Sequence, residues 1–234
     1  MNDDAIRDVL LVHGLWHGAW SWSAVIERLR DNGVRAGAVE LPMQSLAGDA
    51  AVVRTALDAA RRPVLLVGHS YGGAVVTAAG DHPAVAHLVY LAAFALTETE
   101  SISRVAPDAQ VPDTGFAAAL RFSEDGSEVS IAPALAPALL YQDAPRAAQE
   151  ALPRMRPVGR ALFSGRPDIA AWRTKPATYV VCTDDRTVAP RLQRIMAERV
   201  ADRREWDSDH SPLASRPDDV AALLIELARQ RFAL

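Results

Sequence analysis

One cysteine and one lysine are all that 234 residues contain of each. With Cys182 alone, no disulfide framework can form within the chain. Its place in an apolar, strand-like run marks a buried structural thiol rather than a reactive one. Positive charge is almost wholly arginine, Lys175 being the exception, and the net charge is -4. Nothing there recommends a polyanionic partner, so nucleic acid is not expected. No apolar run reaches the length of a membrane span, so a membrane is not expected either. The opening MNDDAIRD lacks the basic and apolar regions of a signal peptide, which leads to the expectation of a cytoplasmic protein. Histidines and acids lack zincin spacing and the glycines do not form G-x-G-x-x-G, so neither a metal nor an organic cofactor is expected.

What is present is organised around residues 63–71, PVLLVGHSY, followed by Gly72 and Gly73. An apolar run without polar alternation reads as a strand buried on both faces. It ends in Gly68-His69-Ser70-Tyr71-Gly72, and small residues then recur at helical spacing. This is the pattern of a strand, a tight turn and a helix in a G-x-S-x-G nucleophile elbow. Such a turn can hold Ser70 at backbone angles most side chains avoid, provided that its neighbours are small.

Similar units precede and follow it. Residues 8–13 (DVLLVH) form an apolar strand, and in the next segment Trp22, Val25, Ile26 and Leu29 mark one face of a helix. Residues 34–41 read as a strand, a helix carries Leu46, Val53 and Leu57, and residues 86–94 are strand-like again. Strands alternating with helices predict an α/β fold, a mostly parallel sheet with helices on both faces. Ligands of such sheets sit at the carboxyl ends of the strands. From about residue 97 to 176 prolines interrupt the pattern, and that is too long for a structureless loop. This segment is expected to be an inserted, mainly helical cap (97–176) on a core formed by 1–96 and 177–234. Phe116, Leu120, Phe122, Leu139, Leu140, Tyr141, Leu152, Met155, Leu162, Phe163 and Trp172 are candidates for its underside. The core resumes with a strand at 177–182, a helix to about 200, a short strand at 204–206, and a final helix bearing Val220, Leu223, Leu224 and Leu227.

A serine hydroxyl needs a base to take its proton, and the base needs an acid to fix its tautomer. In this architecture the chain order is Ser, then Asp or Glu, then His. Ser70 is followed by Asp184 and Asp185 after a strand, and then by His210 in a loop. His13 and His17 lie in the first loop, His69 lies inside the elbow, and His82 and His87 are expected at the surface, which leaves His210 as the base. Spacing alone does not choose between Asp184 and Asp185. An oxyanion would be met by the Tyr71 N–H, the one after the nucleophile, and by a donor of the loop after the first strand, for which Leu15 is chosen. His13, Gly14 and Trp16 of that loop are expected to touch substrate.

VHGLWHGAWSW, GHSYGG, TDDRTVAP and DSDHSPLASRP together resemble the α/β-hydrolase superfamily. More narrowly they resemble its branch of plant methylesterases, hydroxynitrile lyases and bacterial EstC-like esterases. The resemblance covers about two thirds of the chain and implies the α/β-hydrolase fold. In that branch the catalytic acid directly precedes the basic residue of a D-R-x-[IV]-x-P segment, which selects Asp185. The family's oxyanion donor just after the His-Gly pair agrees with Leu15. Hydroxynitrile lyases of the branch carry a lysine after the catalytic histidine and a threonine in the first loop, where this chain has Ser211 and Gly14. The resemblance thus implies a serine-dependent carboxylic ester hydrolase acting on a small, largely apolar ester, with a cofactor-free lyase as the alternative. The expected partner is a small-molecule ester, with a homodimer as the assembly left open.

Overall fold

Residues 6–107 and 109–230 are described by the structure, a computed structural model. The first five residues, on which the signal-peptide reading partly rests, lie outside them. Strand β1 (Asp8–Val12) leads through a 3-10 turn to helix α1 (Ser23–Asp31), and β2 (Ala36–Val39) leads to α2 (Leu46–Ala59). Strand β3 (Val64–His69) turns directly into α3 (Tyr71–Ala79), and β4 (Val85–Leu91) follows. Beyond β4 come β5 (Leu120–Phe122), β6 (Glu128–Ile131), α4 (Ala136–Leu140), α5 (Pro145–Ala151) and β7 (Val158–Gly159). The chain closes with β8 (Ala177–Cys182), α6 (Pro190–Ala197), β9 (Asp202–Trp206), α7 (Pro212–Ser215) and α8 (Pro217–Arg229).

Six strands pair in the order β2-β1-β3-β4-β8-β9, all parallel. Every residue of β3, β4 and β8 is buried, which is why these strands show no polar alternation. Within β3, Leu65 and Val67 face a cluster with Trp22 of the 3-10 turn, Leu29 of α1 and Leu224 of α8. Val64 and Leu66 face the opposite one, with Val53, Leu57 and Val75 from α2 and α3. Burying each such side chain stabilises the fold by about 1.5–3 kcal/mol. Because β1 is flanked by β2 on one side and β3 on the other, successive crossovers diverge there. The loops after β1 and β3 therefore face each other at a topological switch point.

Several expectations need correction. The second strand, read over 34–41, is Ala36–Val39, and the strand read over 86–94 is β4, which ends at Leu91. The insert has the short helices expected of it, but also a three-stranded antiparallel sheet, β5-β6-β7. Segments such as LRF and EVSI are too short for a two-residue period to register. His87 is not at the surface: it lies in β4, and its Nε2 is 2.8 Å from Thr178 Oγ1 on the neighbouring β8. His82 is half-buried, with Nε2 3.1 Å from Asp58. In a strand covered on both faces, a polar residue is carried inside with the rest.

Candidate active site

The elbow follows from two backbone approaches. A Cβ on Gly68 would lie 2.5 Å from the Gly72 carbonyl oxygen, and one on Gly72 would lie 2.4 Å from that of Val12. Neither glycine has a positive φ, so both are required for space, not for conformational freedom. The strained residue is Ser70 itself, at φ 53° and ψ -123°. Its neighbour Tyr71 points the other way and donates its hydroxyl proton to Asp49 Oδ2 at 2.7 Å, anchoring the start of α3 to α2. Burial raises the Asp49 carboxyl above its ordinary value, partly offset by the bonds from Tyr71 and the Met43 N–H. Tyr71→Phe is expected to leave a buried carboxylate oxygen without its donor and to cost about 1–3 kcal/mol. Urea unfolding at pH 7 measures it; an unchanged midpoint would show that the anchor contributes nothing.

Ser70, Asp185 and His210 come together. His210 Nε2 lies 3.0 Å from Ser70 Oγ, and its Nδ1 lies 2.7 Å from Asp185 Oδ2. The three are carried by the loops after β3, β8 and β9, and all are buried. Asp185 has every acceptor position engaged: Oδ1 takes the N–H groups of Thr187 (2.7 Å) and Val188 (2.9 Å), and Oδ2 also takes Gln193 Nε2 (2.7 Å). Asp184 is exposed and turned toward Asp207, so the structure separates the two adjacent acids.

The oxyanion candidates, Leu15 and Tyr71, follow β1 and β3 beside Ser70. The Tyr71 N–H is the first of α3, a position without an intrahelical acceptor. Leu15 lines the same cavity as Ser70. Gly14 brings that loop against the serine, since a Cβ there would meet Ser70 Cβ at 2.9 Å. Trp16, at φ 64°, lines the cavity and donates its indole N–H to the Val129 carbonyl of β6 at 3.1 Å. His13 is the correction. Its ring is fully buried, Nδ1 bonds the Gly14 carbonyl (2.9 Å) and Nε2 accepts the Leu41 N–H (3.1 Å), so neither nitrogen is left for a substrate. Burial lowers its pKa, and the neutral ring pins the loop to the end of β2.

Several positioning groups escape a reading by motif. Gln193 is wholly buried, bonding Asp185 and the Val188 carbonyl through Nε2 and the Cys182 N–H through Oε1. Its only signal is a polar residue in line with the buried Met196 and Ala197 of α6. His69 packs its ring on His210, centroids 4.9 Å apart, and its Nε2 lies 2.7 Å from the His210 carbonyl oxygen. Burial and the neighbouring imidazole of His210 hold His69 well below the usual imidazole range, so Nε2–H is the donor. His17 has Nδ1 2.7 Å from the Leu15 carbonyl, while Nε2 accepts the Tyr141 hydroxyl at 2.5 Å. The insert is tied to these loops as well: the Asp143 and Asp209 N–H groups each donate to the other residue's carboxylate, at 3.1 and 2.9 Å, and Thr187 Oγ1 donates to the Leu139 carbonyl at 2.8 Å.

The cavity at Ser70 measures about 230 Å³ and is walled by Leu15, Trp16, Phe94, Ile102, Phe116 and Phe163, with Thr187 and Ser103 among its few polar neighbours. A separate cleft is lined by His17 and Tyr141 and does not include Ser70.

A wholly parallel main sheet with a serine on the sharp turn after one strand, and a histidine and an acid at the ends of later ones, defines the nucleophile-elbow class of α/β proteins. The chain belongs to the alpha/beta hydrolase family, whose model matches residues 9–223. It is similar to Esterase PIR7B of Oryza sativa subsp. japonica, 27% identical with 98% of each chain covered. It is also similar to Methyl jasmonate esterase 1 of Vitis vinifera, 27% identical with 94% of this chain and 96% of that one covered. Its fold is similar to that of the methylesterase protein MES16 from Arabidopsis, with a TM-score of 0.79 and 20% identity over 94% of this chain and 98% of that one.

Proposed function

We propose that the protein is a serine-dependent carboxylic ester hydrolase that acts on a small, largely apolar ester through an acyl-enzyme on Ser70. The observation that carries this reading is the row Ser70 Oγ, His210 Nε2 at 3.0 Å and His210 Nδ1, Asp185 Oδ2 at 2.7 Å, beside an apolar cavity. The esterase names of the relatives agree with it.

In this mechanism Ser70 Oγ attacks the ester carbonyl as His210 Nε2 takes its proton. Asp185 holds Nδ1–H and stabilises the imidazolium. The N–H groups of Leu15 and Tyr71 receive the oxyanion. The tetrahedral intermediate collapses with cleavage of the C–O bond to the alcohol, which leaves with the proton from His210. Water then attacks the acyl carbonyl, gives a proton to His210, and the carboxylic acid departs as Ser70 regains its proton. Residues 97–176 serve as the cap over the cavity.

The lyase alternative lacks support at two positions. A threonine at 14 would bring its Cβ to 2.9 Å from Ser70 Cβ, and Ser211 carries no charge to stabilise a cyanide leaving group. The test is a fluorophosphonate probe with peptide mass mapping, run beside a panel of p-nitrophenyl esters, cyanohydrins and lactones. The expected result is a covalent adduct on Ser70 together with ester turnover. A labelled Ser70 with cyanohydrin cleavage and no ester turnover would replace the reading with the lyase.

A further inference from the structure

The cavity at Ser70 is not isolated. A second, outer groove of about 730 Å³ lies in the insert, against β5, β6 and residues 160–164. The two spaces share Ser103, Leu120 and Phe163, so a single layer of side chains separates them. Leu120 and Phe163 are half-buried and apolar. The backbone around them is held: the Ser103 N–H donates to the Phe163 carbonyl at 3.1 Å and the Arg160 N–H to the Ser127 carbonyl at 2.8 Å. The Trp16 indole reaches the same wall through Val129.

Beyond that layer the groove opens on Phe122. The sequence pattern places Phe122 under the insert, yet it is 56% exposed, with the Arg160 guanidinium 5.3 Å from its ring centre. An exposed phenyl ring at the lip of a groove is apolar surface available to a ligand. Size points the same way. The inner cavity alone is smaller than the roughly 300–1,000 Å³ typical of small-molecule sites, and the outer groove brings the combined space within that range.

Direction follows from the proton. The leaving alcohol takes its proton from His210 Nε2 and must lie beside that ring, whereas the inner cavity is lined by Ser70 and Leu15 and not by His210. The acyl group is therefore the limb that enters it.

We infer that the substrates are esters with an extended apolar acyl chain, which fills the inner cavity, passes between Leu120 and Phe163, and lies in the outer groove against Phe122. The inference rests on the esterase reading and replaces its small acyl group with a longer one than the inner cavity would hold.

The experiment compares kcat/KM for p-nitrophenyl acetate, butyrate, octanoate and decanoate in the wild type, Leu120→Trp and Phe122→Asp. Leu120→Trp fills the passage. Phe122→Asp puts a charge on the lip at a position too exposed to disturb folding. The wild type is expected to prefer octanoate over acetate by about tenfold or more, because added methylenes are buried. Leu120→Trp is expected to lower that octanoate-to-acetate ratio at least tenfold, and Phe122→Asp to lower the decanoate-to-acetate ratio about three- to tenfold, chiefly through KM. Acetate turnover without preference for longer chains, or ratios unchanged in both variants, overturns the inference while leaving the esterase reading intact. Absence of turnover on every ester, with no fluorophosphonate label on Ser70, removes the esterase reading itself.

Discussion

Ser70→Ala is expected to lower kcat for p-nitrophenyl butyrate by about 10⁴- to 10⁶-fold while leaving KM and thermal stability nearly unchanged. The substitution deletes one oxygen, whose hydrogen-bond partner is His210 Nε2 at 3.0 Å. Nothing else about the elbow needs to move. The φ of 53° at residue 70 is as strained for alanine as for serine, and the close approaches at Gly68 and Gly72 do not involve the side chain. In the proposed mechanism the backbone donors at Leu15 and Tyr71 remain, so part of the rate enhancement over water should survive. Initial rates and a melting curve on the same preparation make the measurement. Wild-type turnover by the folded variant would exclude Ser70 as the nucleophile and with it the acyl-enzyme.

Acid is expected to weaken the fold from about pH 6.5 downward, well before carboxylates titrate. Burial lowers His17 and His87 from the usual 6.5 to about 4 each, and depresses His13 and His69 in the same direction. An imidazole depressed in the folded state contributes its full stability above its unfolded value. Below pH 6.5 the unfolded chain takes up the proton and the folded chain does not, so that stability is lost progressively down to about pH 4. For His17 and His87 the loss is of the order of 3 kcal/mol each, at about 1.4 kcal/mol per pH unit. That is a large share of the 5–15 kcal/mol typical of a domain.

Other groups titrate in the same experiment but elsewhere. Burial pushes the Glu100 carboxyl up, yet Arg199 and the N–H groups of Thr97 and Ala106 outweigh it and hold it at about 2. Its contribution is lost only as pH falls below the ordinary glutamate range. Asp49 and Asp209, raised chiefly by burial, act in the opposite sense as they take up protons. Urea midpoints between pH 7 and 4.5 should therefore fall from near pH 6.5, and His17→Gln with His87→Gln should flatten that slope. A wild-type midpoint constant from pH 7 to 4.5 would show that the buried imidazoles do not govern acid stability.

Much of the site is legible in the chain because its parts are local. The run from Val64 to Gly72 encodes its strand, its turn and the two positions where only glycine fits, all within nine residues. Leu15 belongs to a loop whose identity follows from the strand before it. Other members are set by contacts with distant partners. His13 carries the same residue type as His210, yet it is taken up by the backbone of Gly14 and Leu41, and its own neighbours in sequence do not announce this. Gln193 is one glutamine in a helix until the fold turns it toward Asp185. Phe122 reads as an apolar residue to be buried, and the end of a three-residue strand leaves it in the open.

By itself the amino-acid order determined the alternation of strands and helices, the parallel sheet and the elbow, because hydrophobic period and turn sterics act over a few residues. Spacing left two adjacent aspartates open and the family resemblance selected Asp185, but only the tertiary structure decided which histidines are locked neutral inside and where the cavity beside Ser70 leads. Those outcomes depend on groups as far as 141 positions apart, as His69 and His210 are, and packing rather than local pattern sets which of their atoms touch.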